Sequence, residues 1–451
     1  MTEKKLRTRN KSMGYKLLIL ALPLMASNLL QQFYNTADAA IVGNYVGANA
    51  LSAVSTSGYL VLILIYFFIG LSLGASILMA HAYGADNQDR MEKILHTAVG
   101  TALVSGICLT LFGIIFCPFM LKLMNVPEEV YPFALLYLRI YFCSILPMLL
   151  YNMGSGILRA LGNTKTALYC LLVSCILNVC LDYLLVVRIP LGVAGAAVAS
   201  VLSQWMSAVI VIIKLMRNQG ACRLYLLNIK IHKKEWIDIM KIGAPAGIQS
   251  VFQCFSNIFI QAKLNLFGAE VMSGVAAFGK LEGFIYMPIE SFAMSLSSLV
   301  GQSVGRGNKK EVKQAFYTCL VYNIIVTGVI SFLFLNFSTQ LLGIFTREKE
   351  ILIYGQCMLH IVVPLYVIYS INETMGSVIR GCGEARMPML ITLIFMCGFR
   401  VLWNFIILQF SMDPKGIYIS YPLSWIFTFS IFLLYYKKGN WKQIKWNKDN
   451  S

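Results

Sequence analysis

Charge is what this 451-residue chain has least of: Asp, Glu, Lys and Arg make up 13% of it, against 58% hydrophobic residues and a mean hydropathy of +0.70. A soluble chain of this length folds as two or three domains with charged surfaces. Here no stretch is long or polar enough to build one. The motifs of catalysis are missing too. There is no HExxH, no GxxxxGK[ST] phosphate loop, no nucleophile elbow and no acidic metal cluster, and His81, His96, His232 and His360 stand apart. An enzyme is therefore not expected, no cofactor is implied, and an ATP-driven pump is disfavoured. No CxxC occurs, and the 12 cysteines are scattered, mostly in apolar runs such as the one holding Cys170, Cys175 and Cys180. They read as small core residues, not as disulfides or metal ligands.

Long apolar runs are what the chain has in abundance. Runs of about 20 residues, the length that crosses roughly 30 Å of hydrocarbon, recur from end to end. They predict twelve spans at 15–42, 50–81, 93–118, 129–158, 165–188, 193–216, 236–267, 271–302, 312–345, 350–380, 386–410 and 416–436. The basic N-terminus, Lys4 to Arg9, superficially resembles a signal peptide, but the run after it is too long and contains Asp38, so it reads as an uncleaved first span.

The formal charge of +17 invites a nucleic-acid reading, yet the basic residues sit in short segments between apolar runs. The N-tail, the segments after even-numbered spans and the C-tail carry 28 of the 37 Lys and Arg; the opposite side carries Lys122, Arg188, Arg347, Lys349 and Lys415. That asymmetry predicts both termini in the cytoplasm and an even number of spans, with the basic segments facing anionic lipid. Nucleic acid is not expected as a partner.

The basic interval at about 214–241 divides the chain almost in half, and the halves repeat. Pro23 returns as Pro245, Gln31…Phe33…Asn35 as Gln253…Phe255…Asn257, Gly47-Ala48 as Gly268-Ala269, and Gly84-Ala85-Asp86-Asn87 as Gly305-Arg306-Gly307-Asn308. Leu158-Arg159…Gly162 matches Ile379-Arg380…Gly383, and Trp205 matches Trp425. Six spans per half start both halves on the same side, so the expected architecture is all-α: two six-helix bundles related by a pseudo-two-fold axis along the membrane normal. The expected division is 1–216, a linker at 217–235, and 236–451.

An ionised side chain at mid-membrane costs about 2.5–3.5 kcal/mol on insertion scales, so each one requires a reason. Tyr34 and Asp38 are one turn apart near the outer end of span 1, and Asn178 and Asp182 are one turn apart in span 5. At 1.5 Å per residue Asp182 stands roughly 24 Å up span 5, Ser200 about 8–10 Å below the outer surface in span 6, and Asp38 at a similar level. Oxygen donors converging on one layer suit Na⁺, and adjacent carboxylates hold a proton. The competing reading pairs Asp38 structurally, for instance with Arg139. The second half carries Lys263, Lys280, Glu282, Glu290, Glu373 and Arg400. Opposite charges at like depth predict a neutralising network of Lys280, Glu282 and Arg400, with Glu373 the least easily paired. Pro23, Pro147, Pro245, Pro288 and Pro364 permit kinks.

These residues resemble those of the MATE (multidrug and toxic compound extrusion) transporters, in particular a DinF-like bacterial branch. Pro23 with Asp38, Arg159 through Lys165, Asn178…Asp182 and Gly301-Gln302…Gly305 carry the likeness over essentially the whole chain. The resemblance implies a V-shaped pair of bundles in a bacterial cytoplasmic membrane that alternates between outward- and inward-open states. It implies export of amphipathic, often cationic, drugs and toxins in exchange for H⁺ or Na⁺. By the same likeness Asp38, Asn178 and Asp182 form the cation site, with Tyr34 and Ser200 beside it and Na⁺ held by the first three, while Pro23 is a hinge. Asn152, Gln253, Glu282 and Glu373 are the expected substrate-cavity residues. Gln253 departs from a branch with an acid there, which puts coupling through the second half in doubt, and the extra charges of that half are also atypical. A monomer is expected. A flippase of lipid-linked precursors, from the same wider superfamily, would show more spans and a larger basic cavity. A channel would not need paired carboxylates or a duplicated, kinked bundle.

Overall fold

The computed structural model describes residues 11–439 except 125, 219–221 and 411–412; within helices, the side chains of 35, 39, 48–49, 51 and 55–62 are also outside the description. The tail residues Lys4, Lys5, Arg7, Arg9, Lys442, Lys445 and Lys448 counted above lie outside the described residues.

Among the described residues twelve long helices follow one another: α1 Met13–Tyr45, α2 Ala48–Gly84, α3 Gln88–Leu123, α4 Tyr131–Ala160, α5 Thr164–Arg188, α6 Gly192–Met216, α7 Lys233–Leu264, α8 Ala269–Gly305, α9 Lys309–Asn336, α10 Lys349–Gly381, α11 Arg386–Phe410 and α12 Pro414–Lys438. Eleven are long and apolar enough to cross a membrane. The remaining one, α7, opens on Lys233, Lys234, Glu235, Asp238 and Lys241 and carries Gln249, Gln253 and Gln261 further along. The expected span 312–345 is broken: α9 ends at Asn336, and Ser338–Gly343 forms a separate turn of helix.

The burial pattern inverts that of a soluble helix. On α3 the exposed stripe is Val104, Ile107, Leu111, Ile115 and Phe119; on α9 it is Tyr317, Val321, Ile325, Val329 and Phe332. Both stripes recur every three or four residues and face outward, where only hydrocarbon makes an apolar face stable. Polar side chains point inward instead. The buried face of α9 includes Asn323, Thr327 and Ser331, and Asn323 Nδ2 donates to Thr374 Oγ1 at 2.9 Å.

The repeat read from the sequence is present in the backbone. Asn87 and Asn308 cap α3 and α9 by accepting from the amides of Arg90 and Glu311, and the residues before them, Asp86 and Gly307, both have positive φ (55° and 69°). Gly47 and Gly268, with φ of 109° and 98°, precede α2 and α8 in the same conformation, which a side chain would strain.

Packing resolves two compact units, Leu22–Gly247 and Met1–Ala21 with Ile248–Ser451. Each boundary falls inside a helix beside a proline, Pro23 in α1 and Pro245 in α7. Within the first unit α2 and α7 cross backbone to backbone. A Cβ on Gly70 would collide with Gly247, one on Gly74 would lie 2.6 Å from Gly243 N, and one on Gly243 would lie 2.8 Å from Leu71 Cα. Small residues four apart on both helices allow this, the usual means of close helix packing in lipid. Gly74→Ala is therefore expected to lower stability by about 1–3 kcal/mol, because the two backbones must separate. Gly279→Ala, with nothing within 4 Å of the added carbon, is the control. Equal thermal unfolding of the two variants in detergent would refute the close crossing.

Candidate functional site

In the first unit three helices bring the expected oxygen donors together. α1 supplies Tyr34 and Asp38 one turn apart, α5 supplies Asn178 and Asp182 one turn apart, and α6 supplies Ser200. Asp38 is 9% exposed, Asn178 and Asp182 0% and Ser200 1%. The hydroxyls of Tyr34 and Ser200 lie 3.4 Å apart, and the carboxyl groups of Asp38 and Asp182 are near enough to act directly on each other.

What these groups lack is a donor or counter-charge. Oδ1 of Asp38, both carboxylate oxygens of Asp182 and both polar side-chain atoms of Asn178 are buried with no hydrogen-bond partner among the described residues. Two carboxylates in contact, away from water, repel unless a proton or a cation lies between them. The structural alternative is not formed: Arg139 is exposed on α4 and makes no ion pair with Asp38 among the described residues. An apolar cluster of Val42, Ala50, Val186, Val193, Ala196 and Ala197 with Tyr137 packs beside the pair. Tyr137 and Tyr141, stacked at 5.5 Å, lie close enough to sense the charge of Asp38. Sequence reasoning missed both, although their one-turn spacing on span 4 was visible. The residue after Asp182 begins a π-helical stretch, Tyr183–Arg188. Such widened turns occur preferentially at functional sites. All the donors are hard oxygens (with one carboxamide), a set that takes H⁺ or Na⁺ in preference to a softer metal.

The other expected residues divide. Pro23 sits inside α1, where its carbonyl accepts from Ser27 Oγ at 2.8 Å. Asn152 is not brought to the carboxylates by any contact among the described residues. Its backbone carbonyl accepts from Ser72 Oγ at 2.6 Å and Ser155 Oγ at 3.1 Å, tying α2 to α4. Gln253 makes one weak contact, Nε2 to Met396 Sδ at 3.8 Å.

In the second unit two expectations are corrected. Glu373 is not the unpaired acid: its carboxylate takes Arg380 Nη2 at 3.1 Å. Arg380 lies inside α10, 7% exposed and two turns from Glu373, and also donates to Gln249 Oε1 and Ser377 Oγ. Conversely, Lys280, Glu282 and Arg400 form no ion pair with one another among the described residues. Glu282 accepts the hydroxyl of Tyr366, while Arg400 donates Nε–H to Ser424 Oγ at 2.8 Å and lies over the rings of Tyr421 (4.5 Å) and Trp425 (5.9 Å). Lys263 likewise sits over Phe259 and Phe405. Aromatic faces hold these cations where acids were expected to.

A family model described as MatE matches the chain twice, at residues 23–184 and 245–406. The probable multidrug resistance protein YoeA of Bacillus subtilis is 28% identical over 93% of this chain and 92% of its own length. The probable multidrug resistance protein NorM of Thermotoga maritima is 28% identical over 95% and 93%. A crystal structure of a MATE protein in complex with MaL6 superposes with a TM-score of 0.91 at 19% identity, covering 98% of this chain and all of that one.

The two matches begin and end 222 residues apart (23 and 245, 184 and 406). That offset holds along the first helix of each half, where Pro245 and Gln253 answer Pro23 and Gln31, and there Ile260 stands where Asp38 does. The second half therefore has no carboxylate at the position of Asp38.

The buried Glu373–Arg380 pair carries a prediction. Glu373→Gln leaves Arg380 uncompensated and is expected to cost about 3–5 kcal/mol of stability, most of it recovered in Glu373→Gln/Arg380→Met. Thermal unfolding of the two variants checks this; a silent Glu373→Gln would contradict the pairing.

Proposed function

The chain belongs to the MatE family of membrane transporters, and on that premise we propose that it exports amphipathic, cationic organic compounds in exchange for H⁺ or Na⁺. The relatives named above are described as multidrug resistance proteins, which supports drug efflux. One observation carries the coupling: Asp38 and Asp182 meet in a dry site with Asn178, and their oxygens lack partners.

The mechanism follows from that deficit. A proton or Na⁺ bound between Asp38 and Asp182 removes the repulsion and favours one arrangement of α1, α5 and α6. Emptying the site favours another. A substrate that binds better to the second arrangement must then expel the cation, and the cation must expel the substrate, because coupling between two sites is reciprocal. Tyr34 and Ser200 complete the oxygen shell, and Pro23, three turns before Tyr34 on α1, is the point at which that helix bends. Substrate is assigned to Glu282, which forms no ion pair among the described residues although Arg400 acts on its charge, with Gln253 as a weaker contributor; Glu373 joins them only if its pair with Arg380 opens, and Asn152, in the other unit, is a separate weaker candidate. The proposed setting is the bacterial cytoplasmic membrane, with both termini on the cytoplasmic, Lys- and Arg-rich side and the chain acting as a monomer.

Asp38→Asn and Asp182→Asn are each expected to reduce gradient-driven efflux of a fluorescent organic cation from vesicles by about tenfold or more at normal expression. Imposing a Na⁺ gradient and a pH gradient separately identifies the coupling ion. Undiminished, gradient-dependent efflux in both variants would sink the assignment.

A further inference from the structure

The stretch between the halves is not a free tether. Cys222 and Leu224 are buried, the Tyr225 amide donates to His96 Nε2 at 3.3 Å, and the His232 amide donates to Thr97 Oγ1 at 3.1 Å. A Cβ on Gly100 would press on Ile231 and Ile229 at 3.0 and 3.3 Å. The segment is thus pinned as a strap along α3, at several points within its first four turns.

Between strap and helix lies a groove of about 570 Å³. The first turns of α3 and α7, at Gln88 and Lys233, both border it, and each adds the partial positive charge of a helix start. Its lining holds five cationic side chains and two acidic ones. Asp89 is taken by Lys93 at 2.6 Å, and Asp238 nearby takes Arg90 at 3.2 Å. Lys230, Lys233 and Lys234 are exposed and make no ion pair among the described residues. Glu235 faces the same groove; it is 7% exposed and has no hydrogen bond or ion pair among the described residues.

An anion alone would leave Glu235 with only Lys93 near it, which is already taken by Asp89, and a cation alone would leave the three lysines uncompensated. A phosphodiester bearing hydrogen-bond donors satisfies both sets. Beside the charges stand exposed apolar side chains, Ile231, Trp236 and Ile237, which a soluble phosphate has no use for and which suit the depth where headgroup meets acyl chain.

We propose that this groove binds the headgroup of a membrane phospholipid, its phosphodiester against Lys230, Lys233 and Lys234 and its headgroup donors against Glu235. A lipid so placed bridges the strap to α3 and steadies the start of α7, linking the state of the bilayer surface to the helix that begins the second half.

The test is native mass spectrometry of the full chain in detergent, titrated separately with dioleoyl phosphatidylglycerol, dioleoyl phosphatidylcholine and inorganic phosphate. The intact protein is expected to retain phosphatidylglycerol in preference to phosphatidylcholine. Lys230→Gln/Lys233→Gln/Lys234→Gln is expected to weaken that retention about tenfold or more. Glu235→Gln is expected to narrow the preference between the two lipids. Lys309→Gln/Lys310→Gln/Lys313→Gln, at the equivalent helix start of the second half, is expected to leave retention unchanged. Equal weakening by both triple variants would reduce the effect to general surface attraction and overturn the site. Unchanged retention in the groove variant would overturn it too, and displacement of phosphatidylglycerol by millimolar inorganic phosphate would overturn the lipid assignment.

Discussion

A charge inside hydrocarbon must be answered by something nearby, and most of this molecule's interior can be read as the set of answers. Glu373 is answered by Arg380, Arg400 by Ser424 and two aromatic rings, Lys263 by two more rings, and Glu282 by the hydroxyl of Tyr366. The contact between Asp38 and Asp182 is different in kind: two acids answer each other, which electrostatics does not permit without a third party. In the reading proposed above, that third party is a cation taken from solution. A group that comes and goes at such a site changes which helix arrangement is stable, and that is the physical basis of coupling.

Duplication makes the asymmetry of the two halves informative. Both keep the same six-helix order, the same asparagine caps and the same left-handed turns. Yet Asp38 is matched by Ile260. On its eleventh helix the second half carries instead Arg400, held by Ser424 and two aromatic rings, and Asn404, buried with both polar side-chain atoms unpartnered among the described residues.

Much of this was legible from residue order. Hydrophobic length placed eleven of the twelve helices to within about five residues at each end, α9 being the exception, because a helix crossing a bilayer has no other way to satisfy its backbone. Depth along each helix, counted from the loops, was enough to bring Asp38, Asp182, Asn178, Tyr34 and Ser200 to one layer. Pairing was less legible. Arg380 falls at the very end of the expected span 350–380, and its spacing from Glu373 alone does not say that the two side chains turn toward each other. The opposite charges of Lys280, Glu282 and Arg400 suggested ion pairs, but sequence carries no record of which aromatic face comes within reach; Tyr421 and Trp425 reach Arg400 from α12. The strap on α3 was equally hidden, since its anchors are two backbone amides that any sequence supplies.

The central claim is that the cation held by Asp38 and Asp182 and the exported compound exclude each other. The most direct measurement is the cation released when a fluorescent organic cation binds to the purified protein, followed as proton release in weakly buffered detergent solution and as displacement of radioactive Na⁺. The account predicts release of one or the other from the unaltered chain, and dye binding without release from Asp38→Asn/Asp182→Asn. Equal release from both proteins would contradict it.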